Sequence, residues 1–312
     1  MPRPALSPSA LARLQIHLCV LLWGFTAILG KLISLPALPL VAWRMLIVVA
    51  ALALLPRTWR GVLALRGRLR LAYAGVGVLV ALHWLTFYAA IKLANASVGA
   101  TCMALATPLT ALVEPRLTGR RTSWRELALG LAIVPGVALV VGGVPAEMRP
   151  GIAVGAVSAL LVAIFGSLNK RLVEHADAFA VSAIELGAGT LALVALAPAA
   201  AALLPLLGGG DPLALPDARD GALLLALGLA CTLLPYTLSL VALRRMSAFD
   251  AQLATNLEPV YAIVLAIVLL GEQRELAPSF YLGVGIVLAV LFAHALLARR
   301  TRRPRPPQPA LS

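Results

Sequence analysis

The stretch VALRRMSAFDAQLATNLEPVYAIVLAIVLLGE, residues 241–272, decides how this chain is built. Arg244 and Arg245 close one apolar run. The next run, 249–270, carries the pair Glu258-Pro259 and ends on Gly271-Glu272. A helix needs about 20 mostly apolar residues to cross hydrocarbon. The run has that length, and it lacks the period-two alternation of a membrane strand. The stretch AAIKLANASVGATCMALATPLTALVEPRLTGR, residues 89–120, follows the same plan. Ala89-Ala90-Ile91-Lys92 precedes Val241-Ala242-Leu243-Arg244 by 152 residues, Pro108 precedes Pro259 by 151, and Gly130 precedes Gly283 by 153. Further upstream Arg44 matches Glu185 at an offset of 141, the difference falling in the 205–219 loop.

Ten runs of this kind occupy the chain: 14–34, 37–55, 70–91, 96–117, 125–143, 150–169, 178–204, 220–243, 249–270 and 277–298. The first is long for a signal peptide and no small-residue cleavage site closes it, so it reads as a retained helix. Composition agrees: 61% of the 312 residues are apolar without counting glycine, and 12% are charged. Soluble domains reach about 45–50% apolar with glycine included. A soluble enzyme and a disordered chain are both excluded. The net charge of +13 would suggest nucleic acid in a soluble protein. With the N-terminus placed in the cytoplasm, however, 20 of the 26 basic residues fall on that side and 5 on the other. That asymmetry is the positive-inside signature. It puts both termini in the cytoplasm and excludes nucleic acid as a partner.

Spans 6–10 repeat spans 1–5, and five is odd, so the two copies face opposite ways across the bilayer. The sequence therefore predicts an all-α integral membrane protein of ten transmembrane helices in two inverted five-helix repeats, a plan common among secondary transporters. Residues 1–13 form a cytoplasmic arm, 14–145 the first repeat and 146–298 the second. Residues 299–312 form a basic, proline-rich cytoplasmic tail, expected to be disordered and to touch anionic lipid.

The chain resembles the drug/metabolite transporter superfamily, and within it the ten-span EamA family of bacterial exporters. Trp23-Gly24, Trp43-Arg44, the segment Phe87–Lys92, and Leu257-Glu258-Pro259-Val260-Tyr261 running to Leu270-Gly271-Glu272 carry the resemblance. It implies the bacterial inner membrane and a small organic cargo: amino acids, other metabolites, cations or drugs. One departure stands out, since Gly119-Arg120 occupies the place of Gly271-Glu272. At a helix end it bears on packing more than on substrate.

Charged and polar groups in hydrocarbon are costly and mark pathways. His83 lies near mid-span with Trp84, and Phe87 and Tyr88 follow one turn on. This cluster suits an aromatic or cationic cargo, and the histidine suits a coupled proton; the alternative is a histidine bonded to a neighbouring helix. Glu258 precedes Pro259, and Gln252 and Thr255 share its face with Asn256 beside it. Thr107 flanks Pro108 in the matching span, where Glu114 reads as an ion-pair partner of nearby arginines. Proline at 108 and 259 loosens both helices, as happens where backbone lines a cavity. Arg44 and Glu185 enter from opposite faces and differ in depth by roughly 10 Å at 1.5 Å per residue. A direct pair is thus not expected; Arg44 suits a substrate carboxylate or an outer gate, and Glu185 the mirror role. Trp23, Tyr236 and Tyr261 are placed to stack on cargo. Paired glycines, at 151 and 155, 187 and 189, and 283 and 285, read as close helix contacts.

The reading that follows is a secondary exporter of small organic metabolites. An importer of a vitamin or organic acid is the alternative, and Arg44 as a carboxylate anchor would favour it. A lipid-modifying enzyme would need clustered acids and histidine at an interface; Glu174, His175 and Asp177 read instead as a solvated turn. The loops are too short for a receptor domain. No phosphate-binding loop is present, so ATP does not drive the process directly. Cys19, Cys102 and Cys231 lie singly in apolar runs, so neither a metal site nor a cofactor is expected.

Overall fold

The computed structural model describes residues 7–119, 121–203 and 211–301, and every regular element among them is helical. Residues 1–6 of the arm, Arg120, and the tail from residue 302 lie outside that set. Prolines and short polar caps set the helix boundaries. α1 (Pro8–Leu32) starts with Pro8 at its first position, where the missing N–H costs nothing. α2 (Ala37–Ala53) follows Pro36 and bends by 94° into the short α3 (Pro56–Ala64). α4 (Gly67–Leu93) runs to Asn95, whose side chain caps α5 (Ala96–Cys102) by accepting from Val98 N at 3.0 Å. A 3₁₀ turn, Met103–Leu105, separates α5 from α6 (Ala106–Thr118). α7 (Trp124–Gly142) completes the first half.

The second half opens with α8 (Arg149–Leu172) and α9 (Ala178–Leu203). α10 (Ala218–Leu225) widens into a π-helical stretch, Ala226–Leu233, before α11 (Leu234–Leu243). α12 (Ala248–Thr255) and α13 (Glu258–Leu265) are parted by a turn at 256–257, and α13 loosens into π-helix over Ala266–Leu270. α14 (Pro278–Thr301) closes the bundle.

Seven helical runs among the described residues are long and apolar enough to cross a membrane, and an eighth is reached if the bent α2–α3 pair is one span. The chain is a multi-pass membrane protein. The ten expected from sequence are not reached on this measure. Among the described residues, the runs at 125–143 and 277–298 are represented by the shorter apolar helices Gly130–Gly142 and Pro278–Val290. Outward-facing leucines such as Leu71, Leu131 and Leu191 are more than two-thirds exposed, as a lipid-facing surface requires.

Glycine lets the helices meet. A Cβ on Gly77 would lie 2.0 Å from the Glu185 carbonyl oxygen, and one on Gly189 would lie 2.7 Å from the Gly77 oxygen, so α4 and α9 pack backbone to backbone. Gly136 and Gly283 do the same for α7 and α14. Of the glycine pairs singled out in the sequence, Gly151, Gly155, Gly189 and Gly283 make such contacts. Gly187 and Gly285, each two residues from the contacting glycine and so on another side of the helix, meet nothing within 4 Å.

Loops gather at two ends. At one, Arg57 pairs with Asp177 at 2.6 Å, Lys170 donates to the Leu243 carbonyl and Arg171 to the Leu117 carbonyl. This is the end of the arginine-rich loops. At the other, Asp220 accepts from the Ser34 and Leu35 N–H groups and the Ser34 hydroxyl, while Lys92 donates to the Ile33 carbonyl. Two carboxylates cross between the broken helices. Glu272 accepts from Ala96 N and Ser97 N, both at 2.9 Å, at the start of α5. Glu114, read from sequence as an arginine partner, accepts from Ala248 N at 3.0 Å and Phe249 N at 2.9 Å at the start of α12. Gly119 and Gly271, 152 apart, end their helices in the left-handed region with φ of 73° and 71°.

The α4–α9 contact leaves no room for a methyl group. Gly77→Ala is expected to cost about 1–3 kcal/mol by overpacking. Gly75→Ala, which meets nothing within 4 Å, is expected to leave stability unchanged. Thermal unfolding of the two variants in detergent checks the difference.

Candidate substrate cavity

The helix breaks lie next to the polar residues that the sequence singles out. In the first half Pro108 deprives the Ala104 carbonyl of its usual donor, and the chain tightens to a 3₁₀ turn there, one turn before the proline. In the second, Pro259 sits in the first turn of α13 directly after the break. Asn256, in that break, donates to Thr107 Oγ1 at 2.6 Å. The two broken helices are thus tied to each other at mid-height. Pro108 itself packs on Gly130, where a Cβ would lie 2.6 Å away.

Between the helices lies a cavity with about 970 Å³ of empty space, its mouth included. Four helices give it a stripe each. α4 supplies His83, Trp84 and Phe87; α8 supplies Val162, Phe165, Gly166 and Asn169; α11 supplies Tyr236, Ser239, Leu240 and Leu243; and α12 supplies Ala248, Ala251, Gln252 and Thr255. Ile16, Trp23 and Thr26 from α1, with Arg44, Met103 and Glu258, complete the lining. The lining runs from mid-helix to the helix ends beside the basic loops, at Asn169, Leu243 and Ala248, and includes none of the clamped residues at the far end.

Arg44 is 2% exposed and held on three sides. Nε donates to Thr232 Oγ1 at 2.7 Å, Nη1 donates to the Tyr88 hydroxyl at 2.8 Å, and the guanidinium lies 3.8 Å over the Trp84 ring. Thr232 in turn donates to the carbonyl five residues back, Leu227, at 2.6 Å. The π-helical widening brings these two groups together. Within the same widening, Gly228 leaves room for α2, since a Cβ there would lie 2.9 Å from Ile47. The Arg44 cation has no carboxylate partner among the described residues.

Glu258 is 7% exposed and lines the same cavity, and no hydrogen bond or ion pair occupies its carboxylate among the described residues. His83 combines both of its sequence readings. Its ring lines the cavity beside Phe165, centroids 5.3 Å apart, while Nδ1 lies 2.8 Å from Ser158 Oγ on α8. Trp84 and Tyr236 meet edge to face at 5.9 Å.

The other singled-out residues lie elsewhere. Tyr88 is fully buried behind Arg44, and Thr107 and Asn256 spend their side chains on each other. Glu185 lies behind Tyr236, to which it is hydrogen-bonded, outside the lining. Arg44 and Glu185 form no pair, as the depth argument implies. Tyr261 is 38% exposed and packs with its Cβ over Gly24. Residue-type reasoning passed over Phe165, Asn169, Ser239 and Met103. The signal was there: 162, 165, 166 and 169, like 236, 239, 240 and 243, fall at i, i+3, i+4, i+7 on one helix face.

The profile of the EamA-like transporter family matches the sequence twice, over residues 11–142 and 149–302. The chain belongs to the EamA-like transporter family. A comparison with curated proteins finds no match. A solved crystal structure, titled only as that of a protein, superposes with a TM-score of 0.66 at 19% identity. It covers 94% of this chain and 99% of its own. That likeness establishes the shared helical fold. As a member of the family the chain is a membrane transporter, and a small-molecule substrate and surrounding lipid are implied. Glu272 and Glu114 each cap a helix start in the other half, and the sequence carries Gly119-Arg120 where the second half has Gly271-Glu272.

Two kinds of buried carboxylate separate here by their partners. Glu272 offers one oxygen to Ala96 N and the other to Ser97 N; Glu272→Gln replaces one of these acceptors with a donor, removes the charge at the helix start, and is expected to lower stability by about 0.5–2 kcal/mol. Glu258→Gln removes an unpartnered charge and is expected to melt at or above the parent protein. Melting curves recorded side by side in detergent distinguish the two.

Proposed function

We propose that the chain is a secondary transporter of a bacterial inner membrane that exports small organic metabolites, amino acids or related compounds, by alternating access. Its ten spans form two inverted repeats, 14–145 and 146–298, with both termini in the cytoplasm. The seven long apolar runs, the bent α2–α3 pair and the two shorter apolar helices supply ten segments for this plan. The gathering of the basic loops at one end supports the orientation. On that reading the conformation described is open to the cytoplasm, because the lining reaches the basic end.

One observation carries the choice of cargo. A cation and an unpartnered carboxylate, Arg44 and Glu258, line one cavity without pairing. A zwitterion supplies both missing partners. Its carboxylate takes the guanidinium fork, for which arginine geometry is suited, and its ammonium takes Glu258. Trp23, Trp84, Phe87 and Phe165 offer stacking surface for an apolar or aromatic side chain, or for a cationic group.

Counterflow of radiolabelled L-phenylalanine and L-leucine in proteoliposomes tests the proposal. Exchange is expected from the parent protein, and Arg44→Lys and Glu258→Gln are each expected to reduce it at least about tenfold, the equivalent of 1.4 kcal/mol. Absence of movement for any amino acid, vitamin or cationic drug, with well-folded protein, would overturn it. In cells, overexpression is expected to raise tolerance of a toxic amino-acid analogue; greater sensitivity would reverse the direction.

A further inference from the structure

Behind the cavity wall lies a second polar cluster. Glu185 on α9 is 0% exposed. Its Oε2 accepts from the Tyr236 hydroxyl and, at 3.3 Å, from the Asn169 amide. Its Oε1 has no partner, and neither has Asn169 Oδ1. The Ser182 hydroxyl, one turn earlier on α9, is a third buried oxygen without a partner. Three neighbouring residues thus carry unsatisfied oxygens in an interior where such groups are rare and costly.

No cation among the described residues answers them. On α2, Arg44 is committed to Tyr88 and Thr232; at the start of α3, Arg57 pairs with Asp177. On α4, Tyr73 donates to the Leu172 carbonyl, His83 is tied to Ser158, and Lys92 holds the Ile33 carbonyl. Arg60, Arg66, Arg68 and Arg70 stand exposed on α3 and at the start of α4. At the end of α8 Lys170 donates to the Leu243 carbonyl, and just past α11 Arg244 donates to the Ala176 carbonyl. A metal ion needs a shell of several oxygens, and the described residues hold no group of three or more His, Cys, Asp or Glu. A proton needs one acceptor beside its carboxylate, and Asn169, whose amide N–H meets Oε2, carries a buried oxygen without a partner.

We propose that Glu185 is a proton-binding site, protonated in the conformation described here, and that its deprotonation accompanies solute movement. The proton on Oε1 turns an orphan acceptor into a donor, and the unpartnered Asn169 Oδ1 is the acceptor for it. Release is an acid–base exchange: the O–H bond of the carboxyl breaks, water in the cavity takes the proton, and the charge stays on Glu185. Tyr236 and Asn169 hold Oε2 and also line the cavity. A solute that shifts either side chain alters the surroundings of the carboxyl directly. The coupling half rests on the transport reading above; the bound proton does not.

Infrared difference spectroscopy of the full chain in lipid, titrated from acid to alkaline pH, tests the bound proton. A protonated-carboxyl band is expected at neutral pH in the parent protein and in Glu258→Gln, and is expected to vanish in Glu185→Gln. That variant is isosteric, its amide can donate where the acid did, and its melting curve verifies folding. A parent spectrum without a Glu185-dependent band at neutral pH overturns the site. For coupling, a pH gradient across proteoliposomes is expected to drive several-fold accumulation of L-phenylalanine by the parent. Glu185→Gln is expected to keep counterflow and lose that accumulation. Equal gradient response in both proteins, or accumulation driven by a sodium gradient alone, overturns coupling through Glu185. If the parent moves no solute while the band is present, the transport reading fails and the proton site stands.

Discussion

Hydrocarbon offers no hydrogen bonds, so every polar group that this chain places at membrane depth must find its partner within the protein. The bundle's irregularities follow from that demand. The 3₁₀ turn at Met103–Leu105 and the break at 256–257 accompany prolines that free backbone carbonyls, and both lie against neighbouring helices rather than on the outer surface. The π-helical widening at Ala226–Leu233 is answered by Thr232, whose hydroxyl satisfies Leu227 and receives Arg44. Helix starts at the two ends of the bundle are answered by carboxylates from other segments, Glu272 for α5 and Glu114 for α12.

Against that background of satisfied groups the exceptions are informative. Arg44 is braced by a hydroxyl, a phenol and an indole face, an arrangement that fixes its direction while leaving its charge unneutralised. Such bracing keeps a binding group preorganised, so ordering it adds little to the cost of taking a ligand. Glu258 is placed by the first turn of a proline-started helix, which fixes its backbone and leaves its carboxylate for the cavity.

The all-helical, multi-pass character and the twofold repeat were legible in the sequence because apolar runs and the offset near 152 are long-range patterns that local packing cannot hide. The α2–α3 bend was not, since run length alone does not reveal where a helix turns. At the cavity, polar and aromatic residues such as His83, Trp84, Tyr236, Gln252, Thr255 and Glu258 were picked by residue type and do line it. Thr107, Asn256 and Glu185 were picked by the same rule and face other side chains, because a polar residue at membrane depth is as readily a brace as a ligand contact. Pro235, which follows the π-helical widening, was visible in the sequence and was passed over. Ser158 had no signal, since a serine inside an apolar run is ordinary.

The crossed caps have a mechanical consequence. Glu114 reaches from the end of α6 to the start of α12 at one end of the bundle, Glu272 reaches from beyond α13 to the start of α5 at the opposite end, and Thr107–Asn256 joins the same two broken helices between them. Three ties along one seam make a linkage rather than a simple contact. Sliding one broken helix along the other would strain all three at once, whereas a tilt about the central tie stretches one end while slackening the other. The seam therefore resists translation and yields to a see-saw, with Thr107–Asn256 as its fulcrum.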